Sequence, residues 1–219
     1  MSTSHYPVRL VGGDDLERSR LTVFFRIFLL IPHAIALFLW AIAATVAAVI
    51  AWFAALITAR VPDGLHTFIA GYLRYYTRVV AYGAILAEPF PPFGSGGTYP
   101  VDLEIDPPVP QNRLTVFFRV ILVLPCYVLV SYALQPLLYL VAIACWFVAL
   151  FTGRVPAGLQ KVGLFCVRFN SRTFAYLYLV NPRYPAFGDT PGTLPGDQVS
   201  RPAGQGSLPP DQGTLPPIP

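Results

Sequence analysis

The sequence predicts an all-α integral membrane protein made of two tandem, homologous helical-hairpin units, each preceded by a short extended segment. Three observations lead to this fold class: few charges, an internal repeat and two long apolar runs. Only 12% of the 219 residues are charged and the mean hydropathy is +0.57, whereas a typical soluble domain has about 25% charged residues. This composition excludes an ordinary soluble enzyme, a disordered regulator and a nucleic-acid binder of the usual charged kind.

The net charge points to lipid as a partner. The chain has 15 basic and 11 acidic residues, a formal net charge of +4. A small positive excess on an apolar protein favours contact with anionic lipid over contact with a nucleic-acid groove. We therefore predict membrane lipids as partners, consider a membrane protein partner or a homo-oligomer as well, and predict no nucleic acid.

The chain contains an internal repeat. Residues 20–26 (RLTVFFR) recur letter for letter at 113–119, and WFAALITARVPDGL at 52–65 returns with few changes at 146–159. The offset between the copies is 93 residues before the apolar run and 94 after it, so the second run has gained one residue. We predict a first membrane unit at 1–97, a second at 98–190 and a disordered, Pro/Gly-rich tail at 191–219.

Each unit contains a long run without charge, such as the stretch between Arg26 and Arg60. A membrane-spanning helix needs about 20 apolar residues, and this run is longer. Because an interior proline breaks or kinks a helix, we predict an interfacial lead-in at 21–31, a break at Pro32 and a span from His33 to Thr58. The second span is expected from Cys126 to Phe151, after a break at Pro125 and with a further kink at Pro136.

A second helix in each unit carries a cationic stripe at helical spacing. Its members are Arg74, Arg78, Lys161, Arg168 and Arg172. Two arginines in mid-membrane cost roughly 5–7 kcal/mol, more than the apolar side chains of such a helix return. These helices therefore either lie flat in the interface or cross with their arginines facing partner helices.

The matched arginines of the two units favour four crossings with parallel halves, because inverted halves would tend to diverge in charge. In that arrangement the two extended segments share one side of the membrane and can pair as strands. The excess of arginine on that side predicts that both termini are cytoplasmic. The flat orientation of the arginine helices stays open as the alternative.

Four further features of the sequence occur together. They are the arginines of RLTVFFR followed by Pro32-His33, the Trp-Phe-x-x-Leu-x-Thr-x-Arg-x-Pro-x-Gly-Leu pattern, the paired arginines and a closing Pro-Pro-Phe at 91–93. With these motifs the chain resembles a bacterial membrane family catalogued as domain of unknown function 4389, in two tandem copies. The second unit departs from this pattern with Cys126 in place of His33. The resemblance implies residence in the bacterial cytoplasmic membrane and no particular chemistry.

The sequence offers no catalytic, metal or cofactor site. The spacings of Cys126, Cys145 and Cys166 match no zinc or redox motif, and the apolar runs hold no carboxylate of the kind that marks proton or cation pathways. His33 is expected to be an interfacial side chain. We therefore predict a protein that is not an enzyme.

The cationic stripe is the candidate site. Arginine suits phosphate because its planar fork binds two oxygens, so we predict that the stripe binds lipid phosphate or another anion. This makes the protein a scaffold or accessory subunit that contacts anionic lipid or partner helices. The alternative function is a small transport or channel subunit with an arginine-lined anion path. A purely structural alternative is that the arginines bond helix carbonyls and tyrosine hydroxyls inside the bundle.

Overall fold

The computed structural model describes residues 7–13, 15–94 and 96–185, and most of these are helical. The elements in chain order are β1 (Val8–Gly12), α1 (Arg20–Thr58), α2 (Asp63–Gly83), β2 (Val101–Ile105), α3 (Arg113–Phe117), α4 (Arg119–Leu129), α5 (Gln135–Thr152) and α6 (Ala157–Leu177). A π-helical turn, Val130–Leu134, joins α4 to α5. The predicted disordered tail at 191–219 lies outside the described residues.

The two extended segments pair as an antiparallel two-stranded sheet, so the fold is helical with a small sheet rather than all-α. Leu10 lies opposite Leu103, and these are equivalent positions in the two units. Gly12, with φ of 86°, approaches Pro100 so closely that a Cβ would lie 1.8 Å from its carbonyl oxygen. Only glycine fits there, because it alone adopts this conformation without a side-chain clash.

The two units are related by an approximate two-fold axis. Besides the two central leucines of the sheet, the hydroxyls of Thr77 in α2 and Ser171 in α6 meet at 3.0 Å, and these residues also occupy equivalent positions. Contacts between equivalent residues arise only on or near a symmetry axis. The axis therefore passes through the sheet and then between α2 and α6.

Each unit has one long helix, which is α1 in the first unit and the run from α3 to α5 in the second. Each unit also donates a hydrogen bond from this helix to the other unit. The indole of Trp52 donates to the carbonyl of Val116 at 2.9 Å, and the indole of Trp146 donates to the carbonyl of Val23 at 3.1 Å. These are the same contact made twice, once in each direction. The repeated tryptophans therefore join the two units.

The long helices of the two units run antiparallel. The backbone N–H of Arg18, before α1, donates to Gly153 after α5 at 2.8 Å, and that of Gln111, before α3, donates to Ala59 after α1 at 2.7 Å. The start of each long helix therefore lies against the end of the other. The parallel halves that we predicted from the matched arginines are wrong, although the predicted pairing of the extended segments is confirmed.

α2 and α6 form the interior of the molecule. They pack against each other, β2 packs on α2 and β1 on α6, and the long helices flank them. More than half of the residues of α2 and of α6 are buried or nearly so, whereas α1 buries only one narrow face. In the second half of α1 that face is built from the small residues Ala44, Ala47, Ala51 and Ala55, whose three- and four-residue spacing permits close helix approach.

The break predicted at Pro32 is absent, because α1 is one continuous helix of 39 residues. Pro32 is exposed on the outer face, where the ring of a helical proline can be accommodated because long helices curve around the core with their outer face convex. Pro125 likewise lies inside α4. The interruptions of the second long helix occur instead at Phe118, between α3 and α4, and at the π-helical turn.

The π-helical turn is where the second unit absorbs its extra residue. The units are 93 residues apart before it and 94 after it, and a π-bulge is the usual way to insert one residue into an α-helix without rotating its downstream turns. Because an inserted residue otherwise turns the downstream helix by about 100°, the bulge keeps Trp146 in the position equivalent to Trp52.

Deleting Tyr132, an exposed residue of the π-helical turn, should convert the turn to α-helix and leave the fold intact. The matched control is deletion of Leu39, the equivalent exposed residue of α1, which would rotate Trp52 away from Val116. In detergent, we expect the thermal midpoint to stay within about 4 °C for the first deletion and to fall much further for the second. Equal damage from both deletions would contradict this account of the turn.

Candidate functional site

The half of the cationic stripe on α2 is bound within the protein. Nε and Nη2 of Arg78 donate to the two carboxylate oxygens of Asp102 at 3.0 and 2.8 Å, and its Nη atoms donate to the carbonyls of Gly96 and Gly97. The Arg78 side chain is fully buried. A bidentate guanidinium–carboxylate pair of this kind is short, strong and geometrically specific.

Arg74 reaches the same strand one turn earlier. Its Nε donates to the carbonyl of Leu103 at 3.0 Å and lies 3.8 Å from Asp102. The N–H of Leu103 is bound by the carboxylate of Asp102 at 2.8 Å. Together these side chains occupy the outward-facing backbone groups of Leu103, which protects the open edge of β2 from pairing with another strand.

The half of the stripe on α6 has a different setting. Exposed Lys161 and half-buried Arg168 line a cleft of about 390 Å³ that is bounded by Leu10, Gly13 and Gln160. The guanidinium of Arg168 lies 5.7 Å from the centre of the Phe165 ring. Two positively charged side chains therefore border one open cleft between α6 and the end of β1.

The fifth residue of the stripe, Arg172, is buried in the interior. The structure therefore divides the five predicted site residues among three settings. Two are bound to Asp102, two border the cleft and one lies inside the protein. The strands contribute to this asymmetry, because the position equivalent to Asp102 in the first unit is Arg9, which pairs with Glu104 across the sheet at 3.0 Å.

Two further arginines, which sequence reasoning did not include, form the most closely repeated polar site. Arg26 donates through Nη1 to the carbonyls of Tyr82 and Ala87 at 2.8 and 3.1 Å. Arg119 donates in the same way to Tyr176 and Asn181 at 3.0 and 3.3 Å. Each guanidinium therefore caps the C-terminal end of the arginine helix of its own unit, where carbonyls lack helical partners and the helix dipole is negative.

The two caps differ in their second partner. Nη2 of Arg26 pairs with the carboxylate of Glu88 at 3.1 Å, whereas Nη2 of Arg119 donates to the amide oxygen of Gln111 at 2.7 Å. Each guanidinium also stacks on a tyrosine ring, at 4.2 Å from Tyr82 and 4.5 Å from Tyr176. The letter-for-letter repetition of RLTVFFR was the available signal for these sites.

Arg18 adds another buried guanidinium near the first cap. Its Nε donates to the carbonyl of Ile85 at 3.1 Å, and Gln111 makes the equivalent contact with Leu179 at 2.8 Å. Burial lowers the pKa of Arg18, while the nearby carboxylates of Asp15 and Glu88 act in the opposite direction. Arginines bound to the carbonyls at helix ends, as the structural alternative describes, therefore lie outside the predicted stripe. Arg74 and Arg78 of the stripe are also bound inside the protein, but to β2 and the loop before it.

His33 is fully buried, so the interfacial position that we expected for it is wrong. Its Nδ1 lies 2.6 Å from the hydroxyl of Tyr75, and its ring lies 4.5 and 4.7 Å from the rings of Phe90 and Phe93. Among the described residues, no group of three or more histidine, cysteine or acidic side chains is arranged to hold a metal ion. His33 is therefore an aromatic-packed core residue.

The second unit replaces this histidine with a thiol. Cys126 occupies the position equivalent to His33 and donates to the hydroxyl of Tyr184 at 3.1 Å. The two units therefore keep a polar contact at this position while changing both of its partners.

Replacing Asp102 by alanine should destabilise the protein strongly, because the buried guanidinium of Arg78 would lose its counter-charge. Breaking a buried ion pair costs about 3–5 kcal/mol, which corresponds to a fall of roughly 6–20 °C in the thermal midpoint for a chain of this size. The control, Glu104→Ala on the same strand, removes an exposed partner of Arg9 and should cost less than about 1 kcal/mol. Similar midpoints for the two variants would refute a structural role for the Arg78–Asp102 pair.

Comparison with known proteins identifies a family. A family model described as domain of unknown function (DUF4389) matches the chain twice, at residues 20–95 and 113–188. No curated protein matches the chain, and no solved structure does so. The two matches cover more than half of the chain and confirm the tandem copies indicated by the repeat. The chain therefore belongs to the DUF4389 family and carries two successive copies of its domain.

Proposed function

We propose that this protein is a membrane-bound protein of non-enzymatic type, a scaffold or accessory subunit that contacts anionic lipid or the helices of a partner. The observation that supports this proposal most directly is the exposure of the two long helices. In the most apolar 18-residue stretch of each helix, only 17% is buried for Arg20–Thr58 and 28% for Arg119–Thr152. A core helix of a soluble protein with this apolarity would be mostly buried, and large exposed apolar surfaces are typical of membrane or partner contact.

The exposed side chains are large and continuous along both helices. On α1 they include Leu21, Phe28, Phe38, Val46, Phe53 and Ile57, and on the second long helix they include Leu114, Ile121, Leu140, Ile143, Phe147 and Phe151. Transfer of such side chains from water to hydrocarbon releases about 25 cal/mol for each Å² removed from water. This surface supports association with lipid, and the proposed location is the bacterial cytoplasmic membrane.

The cleft beside Lys161 supports contact with anionic lipid. Lys161 and Arg168 supply two positive charges beside an opening with polar and apolar walls, a combination that suits a phosphate headgroup with its attached glycerol. Arg74 and Arg78 support the scaffold over the alternative anion path, because their charges pair with Asp102. The buried polar side chains described above support a non-enzymatic role, since they join helices and strands to one another.

The membrane association can be tested by fractionating cells that express the full chain. We expect the protein in the membrane fraction after washing with high salt and with alkaline carbonate, and solubilisation only by detergent, because apolar contact is insensitive to charge screening and to pH. The control is Arg9→Ala, which alters only an exposed ion pair and should fractionate identically. Recovery of a soluble, monodisperse wild-type chain without detergent would overturn the proposal.

The lipid contact can be tested by titrating the detergent-solubilised protein with phosphatidylglycerol in mixed micelles. Lys161→Ala should weaken binding about fivefold, since a basic residue near an anionic headgroup contributes about 1 kcal/mol. Phosphatidylcholine titrations should not distinguish the variant from the wild type. Arg9→Ala removes the same charge from the sheet and should leave the affinity unchanged. An equal loss in both variants would show that net charge, and not the cleft, attracts the lipid.

A further inference from the structure

The exposed apolar surface is too long for a membrane crossing. On α1 it extends from Leu21 to Ile57 and on the second long helix from Leu114 to Phe151. At 1.5 Å per residue each stretch measures about 55 Å, whereas the hydrocarbon core is about 30 Å thick. An exposed stretch of this length fits into the hydrocarbon core only if the helix is tilted by about 55° from the bilayer normal, beyond the range of about 0–40° found for spanning helices.

The sheet lies beside the middle of the helices. The two-fold axis passes through the Leu10–Leu103 pair, and β2 is attached to the centre of α2 through Arg74. On its outer face Arg9 and Glu104 form an ion pair at 3.0 Å, with 37% and 52% of their side chains exposed. If the helices crossed a bilayer, this exposed ion pair would lie near the bilayer centre, where charges are expensive.

The connection between the units also runs along this side. Residue Glu88 at its start binds the backbone of Ser19 before α1, and Gln111 at its end binds Ala59 after α1. The connection therefore passes from one end of the molecule to the other, and in the described residues its only regular element is β2. Non-helical backbone and open sheet edges are not found exposed to the hydrocarbon of a bilayer.

We propose that both long helices lie in the plane of the membrane, embedded in one leaflet, with their exposed apolar faces among the acyl chains and the sheet in water. This inference rests on the proposed membrane association and replaces the four crossings predicted from the sequence. Packed helices lie 8–10 Å apart, so α2 and α6 then sit at about headgroup depth. Their buried arginines then do not enter the hydrocarbon core, so the cost of placing arginines in mid-membrane does not arise.

Three single-cysteine variants in a background without the native cysteines test the orientation. Pro62→Cys and Pro156→Cys lie in the equivalent hairpin loops, and Pro107→Cys follows β2; all three positions are exposed. Each is labelled with a membrane-impermeant maleimide in inside-out and in right-side-out vesicles. We expect all three to react from the same side of the membrane.

The other outcomes overturn the proposal in distinguishable ways. Labelling of positions 62 and 156 from opposite sides would indicate two antiparallel crossings. Labelling of 62 and 156 from one side and of 107 from the other would also overturn the proposal, because the sheet would then not lie in water on the side of the hairpin loops. Recovery as a soluble dimer, with a second copy covering the apolar faces, would defeat the membrane proposal itself, and the carbonate wash of the same vesicles detects that separately.

A measurement on the wild-type chain keeps the test independent of the cysteine-free background. Polarised infrared spectroscopy of the protein in oriented bilayers reports the mean direction of the helices from the dichroism of the amide I band. We expect helices parallel to the membrane plane. A dichroism typical of helices along the membrane normal would exclude the in-plane orientation.

Discussion

The fold is arranged around guanidinium groups that cannot face hydrocarbon. α2 and α6 each carry arginines, and Arg26 and Arg119 enter from the long helices to bind the carbonyls at their C-terminal ends. A buried guanidinium costs several kcal/mol unless its donors are satisfied, so these helices must be enclosed by elements that offer oxygens. β2, the loop that connects the units and the C-terminal ends of α2 and α6 supply them. The long helices, which carry few such groups, are left with the apolar outer surface.

The two units share one set of contacts and have diverged in another. The central leucines of the sheet and the two tryptophan hydrogen bonds are the same in both units. At other equivalent positions the residues differ: His33 is matched by Cys126, Arg18 by Gln111 and Asp102 by Arg9. The last of these differences explains why the charged stripes, which begin as equivalent sequences, end with different partners, because Arg9 cannot offer the carboxylate that Asp102 gives to Arg78.

The repeat and the helices could be predicted because each depends on local spacing. The strand pairing was also predicted, but from an arrangement of parallel halves that the fold does not have. The absence of a break at Pro32 could not, because it depends on which face of α1 is exposed. His33 was misjudged for a related reason: the aromatic rings that enclose it come from α2 and from the loop at 90–93, far along the chain. The stripe is a pattern of local spacing, whereas Asp102, the partner of Arg74 and Arg78, lies in the other unit. The sequence shows that Arg26 is repeated, yet only the folded chain shows that it reaches a helix end.

The register of the sheet has a consequence for how such a chain can arise. Because Leu10 faces its own equivalent, the strand of one unit is complementary to a copy of itself, and the same holds for the tryptophan that each unit lends to the other. A lone unit would expose one unpaired strand edge and one carbonyl without its tryptophan donor, and a second identical unit would pair with both. The tandem chain therefore has the geometry of a fused homodimer. Fusion makes the two partners equal in number and lets each half diverge without losing the other.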